Sequence, residues 1–148
     1  MKRRLGIIGV FAIAIGMALA GLALATAGSG VVAAEYGRAT VPNFNARFTN
    51  RDIVVSELSF APGGFTGWHS HPGKAIVGVA RGSITLYRES DPACAGTTYH
   101  AGEVFIERRN AVHDARNEGT VAAVVNVTFL NVDVAGSPRI DEAQPVNC

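Results

Sequence analysis

Residues 63–75 read Gly63-Gly64-Phe65-Thr66-Gly67-Trp68-His69-Ser70-His71-Pro72-Gly73-Lys74-Ala75. Two histidines stand one residue apart, preceded by three glycines and followed by a Pro-Gly turn. On a strand, residues i and i+2 share a face, so both imidazoles enter one space. Imidazole is the commonest protein metal ligand, and such a pair supplies half of a metal site. Taken alone, a His-x-His pair beside a turn reads rather as two surface histidines. The surrounding sequence has to weigh one reading against the other.

Outward from this segment the chain reads as short strands with turn punctuation. Residues 50–60 carry the β-branched and then alternating run Ile53-Val54-Val55-Ser56-Glu57-Leu58-Ser59-Phe60, which Ala61-Pro62-Gly63-Gly64 is expected to end. Ala75–Ala80, Ser83–Tyr87, Glu103–Ile106 and Val112–Ala115 read as further short strands. Val121–Leu130 is long and has little polar alternation, which predicts a strand covered on both faces. No segment after residue 35 shows a 3.6-residue period, and Ala135–Cys148 reads as extended coil. Six or more short strands with regular turns predict an all-β sandwich or barrel. At 148 residues and 48% hydrophobic, the chain is long enough for one domain of this kind.

The N-terminus reads separately. Met1-Lys2-Arg3-Arg4 is basic, and an uncharged stretch follows to Ala34, most apolar over Leu5–Leu24. A basic start, an apolar run and small residues at its end describe an export signal. Ala25-Thr26-Ala27 and Val32-Ala33-Ala34 are two candidate cleavage points. The apolar run is also long enough to span a bilayer, so residues 1–34 are expected to be a signal peptide or an uncleaved anchor, with residues 35–148 as the exported domain. Removing residues 1–34 takes three of the 13 basic residues and none of the 12 acidic ones, leaving a formal charge of −2. An exported, slightly acidic domain is a poor partner for nucleic acid, and it meets a membrane only through the N-terminal segment. Self-association into a homodimer stays open. The two cysteines, Cys94 and Cys148, lie beyond the signal, and an even pair in an oxidising compartment predicts a disulfide.

The histidine segment has spaced companions. Gly63 lies six residues before His69, and Gly82 eleven after His71. Gly102 lies eleven residues before His113, and Asn117 four after it. In these positions the sequence resembles the cupin superfamily, whose first motif is G-x5-H-x-H-x3-4-E-x6-G and whose second is G-x5-P-x-G-x2-H-x3-N. The resemblance implies a small jelly-roll β-barrel in which His69, His71 and His113 turn inward on one divalent transition metal. Zinc, iron, manganese, nickel and copper all accept imidazole, and the residues do not choose among them.

Three positions depart from the pattern. Ala75 stands where the first motif has its glutamate, Arg108 where the second has proline, and Asn110 where it has glycine. Asn110 tolerates positive φ better than most residues. A three-histidine site remains chemically sensible and resembles those of thiol dioxygenases. Without a carboxylate it would favour an anionic ligand or hydroxide. Glu103, Glu107, Tyr87 and His100 are substitutes by residue type, but none falls at a motif position. Glu107 and Arg108 read as a solvated strand end, and His100 as an exposed loop histidine. Trp68, of opposite parity to His69, should point away from the metal into packing or an interface. Asn126-Val127-Thr128 matches a glycosylation sequon but lies within a core strand, and reads as chance. Two function classes follow: an exported binding module for a small molecule, or a metal-dependent enzyme of dioxygenase or isomerase type. No catalytic residue can be named from the sequence.

Overall fold

The structure is a computed structural model that describes residues 25–43 and 49–148. Among the described residues there are ten strands and no helix: β1 Ser29–Val41, β2 Arg51–Phe65, β3 His69–Ser70, β4 Ala75–Arg81, β5 Ser83–Arg88, β6 Thr97–His100, β7 Val104–Glu107, β8 His113–Arg116, β9 Ala123–Asp133 and β10 Ile140–Asp141. Neighbouring strands follow the order β10-β3-β8-β2-β9-β4-β7, with β1 on the edge of β2 and β5 joining β6 to β8. Every pairing is antiparallel. β1, β2, β9, β4 and β7 form one wall. β10, β3, β8, β5 and β6 form the other, and the two meet where Phe65 of β2 pairs with Arg116 of β8. The result is the expected all-β, nearly closed barrel.

Alternation along each strand fills its interior. Val54 and Phe60 from β2, Val125, Val127 and Phe129 from β9, Val77 and Val79 from β4, and Phe105 from β7 face Ile84 and Leu86 from β5. Each such side chain contributes roughly 1.5–3 kcal/mol of burial. Asn117 ties the two walls together. Its Nδ2 donates to the carbonyls of Phe60, Ala61 and Val121 at 3.3, 3.1 and 2.8 Å, and its Oδ1 accepts from the Gly119 amide at 3.1 Å. The motif asparagine is thus a barrel clamp.

Several expectations are corrected. β2 does not end at residues 61–64; it continues to Phe65 through a register irregularity, with Gly63 at φ 74° taking the conformation that L side chains avoid. β9 is buried on one face only, because its other face alternates outward through Asn126 and Thr128. Apolar residues on both faces had masked the alternation. β1 begins at Ser29 and pairs with β2 along its length, so residue 34 falls inside a strand. β6 was not expected, and the C-terminal coil contains β10, which pairs Ile140 with Ser70 and Asp141 with His69. The apolar run Leu5–Leu24 lies outside the described residues. Cys94 and Cys148 form the expected disulfide, with Cα atoms 5.3 Å apart.

Candidate metal centre

The three motif histidines come together on the second wall. β3 and β8 are adjacent, and His69 pairs directly with His113 across them. His71 follows β3 on the same face. The ring centroids are 4.3, 4.9 and 5.0 Å apart, and all three residues are at most 5% exposed. Phe129 lies against His71 at 5.0 Å. One ligand nitrogen from each ring lies within 4.8 Å of the others.

Backbone carbonyls fix the tautomer of every ring. His69 Nδ1 lies 2.8 Å from the Gly67 carbonyl, His71 Nδ1 2.7 Å from that of Pro138, and His113 Nδ1 2.8 Å from that of Ala111. A carbonyl only accepts, so each Nδ1 carries a hydrogen and each Nε2 points inward, where its lone pair is the one available to a metal. Local sequence sets up these contacts. Gly67 adopts φ 73°, and a Cβ there would run into the backbone around residues 26–28. Asn110 adopts φ 54°, as its residue type suggested, and its amide donates to the His71 carbonyl at 2.9 Å. The buried Nε2 atoms of His71 and His113 make no hydrogen bond that satisfies a lone pair. Three imidazoles converging with Nε2 inward are a donor set that suits a divalent transition metal.

A carboxylate is also present. Glu107, expected at a solvated strand end, is only 7% exposed. Its Oε2 lies 3.0 Å from His71 Nε2 and its Oε1 3.2 Å from His113 Nε2. The burial pattern of β7 explains the correction: Val104 and Ile106 face outward, whereas Phe105 and Glu107 face inward. Three consecutive apolar residues concealed that alternation in the sequence. The site is therefore not the carboxylate-free one that the sequence suggested.

The environment sets the charges. Burial, reinforced by the charges of His113 and His71, pushes His69 down to about 2, so it stays neutral. Burial also disfavours the imidazolium form of His113, but Glu107 outweighs this and leaves its pKa raised. Burial pushes the Glu107 carboxyl up, but the His113 and His71 interactions prevail and hold it well below the usual carboxylate range.

Two spaces adjoin the centre. An interior cavity of about 30 Å³, room for about one water, is lined by His69, His71 and Glu107 among apolar residues such as Phe60 and Phe129. A hollow of about 370 Å³ opens beside it and shares Glu107, while adding His113, Arg88, Ser90 and Arg108. The other residues considered from sequence lie elsewhere. The Tyr87 hydroxyl bonds Glu118, Glu103 accepts from the His100 amide, and His100 is exposed at the end of β6 rather than in a loop. Trp68 is buried, consistent with packing. The C-terminal segment also joins the site, because Pro138 orients His71.

Comparison with known proteins agrees with this architecture. Residues 56–132 match the family model for the cupin domain. Germin-like protein 3-1 of Oryza sativa subsp. japonica is 30% identical over 122 residues, covering 69% of this chain and 51% of that protein. The chain spans about half the length of the curated relatives it matches. An uncharacterized conserved protein with a double-stranded beta-helix domain from Klebsiella pneumoniae superposes with a TM-score of 0.59 at 18% identity, covering 78% of this chain and 87% of that one, and shows the fold alone. An oxalate oxidase structure gives a TM-score of 0.52 at 25% identity, covering 70% of this chain and 51% of the oxidase. With the family model spanning more than half of its length, this chain belongs to the cupin domain family.

Proposed function

We propose that the protein is an exported cupin that holds one divalent transition metal on His69, His71 and His113 and binds a small anionic molecule beside it. The observation that carries this reading is the convergence of three imidazoles whose Nδ1 hydrogens are all committed to carbonyls. Arg88 and Arg108, lining the hollow that reaches Glu107 and His113, favour a carboxylate as ligand. Export is supported by the Cys94–Cys148 disulfide. Cleavage after Ala27 leaves β1 whole, whereas cleavage after Ala34 would remove six of its residues. Elemental analysis of untagged protein, followed by calorimetric titration with small carboxylates, tests the reading. One metal per chain and saturable binding that weakens in Arg88→Ala are expected. Metal content unchanged in a His69→Ala/His71→Ala variant defeats it.

A second reading is a metal-dependent enzyme of dioxygenase or isomerase type. It is supported by the likeness to an oxalate oxidase and by Glu107, a carboxylate placed to hold or move a proton beside the metal ligands. A bound metal would supply polarisation of a ligand oxygen. Oxygen uptake with small carboxylates, phenols and thiols, abolished by His113→Ala, would establish it. Binding without chemical change would leave the first reading alone.

A further inference from the structure

Glu107 occupies a particular place relative to the missing motif glutamate. β4 and β7 are antiparallel neighbours, and the residue paired with Ala75 is Glu107. Directly paired residues on adjacent strands place their Cβ atoms about 4.5–5.5 Å apart on the same face of the sheet. Ala75 is fully buried and Glu107 nearly so, and both face the barrel interior. The carboxylate absent from β4 is therefore present one strand across, on the same face and at the same level.

Its neighbours distinguish it from the other buried acids. Asp52 pairs with Arg38 at 2.9 Å, and Asp114 with Arg116 at 2.7 Å. The contacts of Glu107 are the Nε2 atoms of His71 and His113, whose hydrogens sit on the opposite ring nitrogens. Each inward Nε2 thus faces a carboxylate oxygen in a buried space, an arrangement that calls for a positive charge between them, a proton in the metal-free protein or a metal in its place. The separations suit one. Nitrogen and oxygen ligands about 2.1 Å from a shared metal, at ordinary ligand angles, stand about 3.0–3.4 Å apart. The two pairs measure 3.0 and 3.2 Å.

We propose that Glu107 is the carboxylate ligand of the metal centre, replacing across the β4–β7 ladder the glutamate that Ala75 lacks. This rests on the three-histidine reading above and extends it to a His₃Glu donor set with the acid drawn from a different strand. The second cupin motif then carries two ligands, His113 and Glu107.

The test is titration of the folded, untagged protein with Co²⁺, followed by calorimetry and by visible absorption. The variants are Glu107→Gln, Glu107→Ala and the double exchange Ala75→Glu/Glu107→Ala, each checked for β structure by circular dichroism. Loss of a partner that only orients a ligand typically weakens metal binding 10–100-fold, so loss of a ligand should weaken it by at least about 100-fold. Glu107→Gln is expected to do so and to change the cobalt spectrum, which an orienting group would barely alter. The double exchange should recover affinity to within about tenfold of the parent. Unchanged affinity and spectrum in Glu107→Gln, with Co²⁺ still bound by the parent, overturn this inference alone. So does a folded double exchange that binds no better than Glu107→Ala. A parent protein that binds no Co²⁺ overturns both this inference and the metal reading beneath it.

Discussion

Replacing Cys94 and Cys148 together by serine removes the crosslink without leaving a free thiol. The disulfide closes a loop of 54 residues. In the chain-entropy treatment, a loop of that length corresponds to about 4 kcal/mol of constraint on the unfolded chain. Against a typical total of roughly 5–15 kcal/mol, that is a large share. The effect should also be felt locally, because the closed loop ends in the segment that straps β3. Glu142 donates its amide to the Trp68 carbonyl at 3.0 Å and accepts from the Ser70 hydroxyl at 2.8 Å, and Pro138 accepts from His71. Urea unfolding followed by circular dichroism should show the midpoint falling by about 2 M, taking a slope of roughly 2 kcal/mol/M. Hydrogen exchange should accelerate first at the Glu142 amide, ahead of the central amides of β9. A midpoint within about 0.3 M of the parent, with tail protection unchanged, would refute the reasoning. It would mean that β10 and its hydrogen bonds hold the tail without help from the crosslink.

Asn117→Ala strips partners from one buried and two partly buried carbonyls and from a partly buried amide, and should lower unfolding free energy by about 2 kcal/mol in the same assay; a loss below about 0.5 kcal/mol would reject the clamp role. Asp52 is held below the usual carboxylate range by hydrogen bonds from Thr40, Arg38 and the Ala135 amide. A depressed carboxyl contributes stability that is complete above its unfolded pKa, near 4, and is lost as pH falls through the folded value. Asp52→Asn should therefore flatten the stability profile below about pH 4, and a profile parallel to the parent's would contradict this. Arg108→Ala should weaken carboxylate binding without changing metal content; equal weakening for a neutral ligand of the same size would show that charge is not what Arg108 supplies.

Fold and site were not equally legible. β4 and β5 could be read because turns bracket them and hydrophobic density marks them. β1 could not, because Ser29–Val41 follows closely on the uncharged, apolar N-terminal sequence and is exposed along nearly its whole length, so no inward stripe marks it. β2 was cut short because Pro62-Gly63-Gly64 reads as a terminator, whereas antiparallel pairing on both sides carries the chain through an irregularity. His69, His71 and His113 were recoverable because they sit at motif spacing, and the structure gathers them. Glu107 was recoverable only in principle. Ala75 announced that a ligand was missing, and strict alternation from Phe105 would have turned Glu107 inward. What the sequence does not encode locally is the β4–β7 register that sets Glu107 opposite Ala75. The contribution of Pro138 was hidden for a similar reason, because a backbone carbonyl supplied from 67 residues away carries no residue-type signal.

The most direct test of the metal centre is X-ray absorption at the metal edge of the protein, purified without a histidine tag. One metal per chain is expected, surrounded by nitrogen and oxygen scatterers at about 2.0–2.2 Å, with the outer-shell scattering of three imidazoles. That signal should disappear in His69→Ala/His71→Ala. A protein that carries no bound metal after equilibration with zinc, iron, manganese, nickel and copper, or a metal whose shell lacks imidazole, would contradict it.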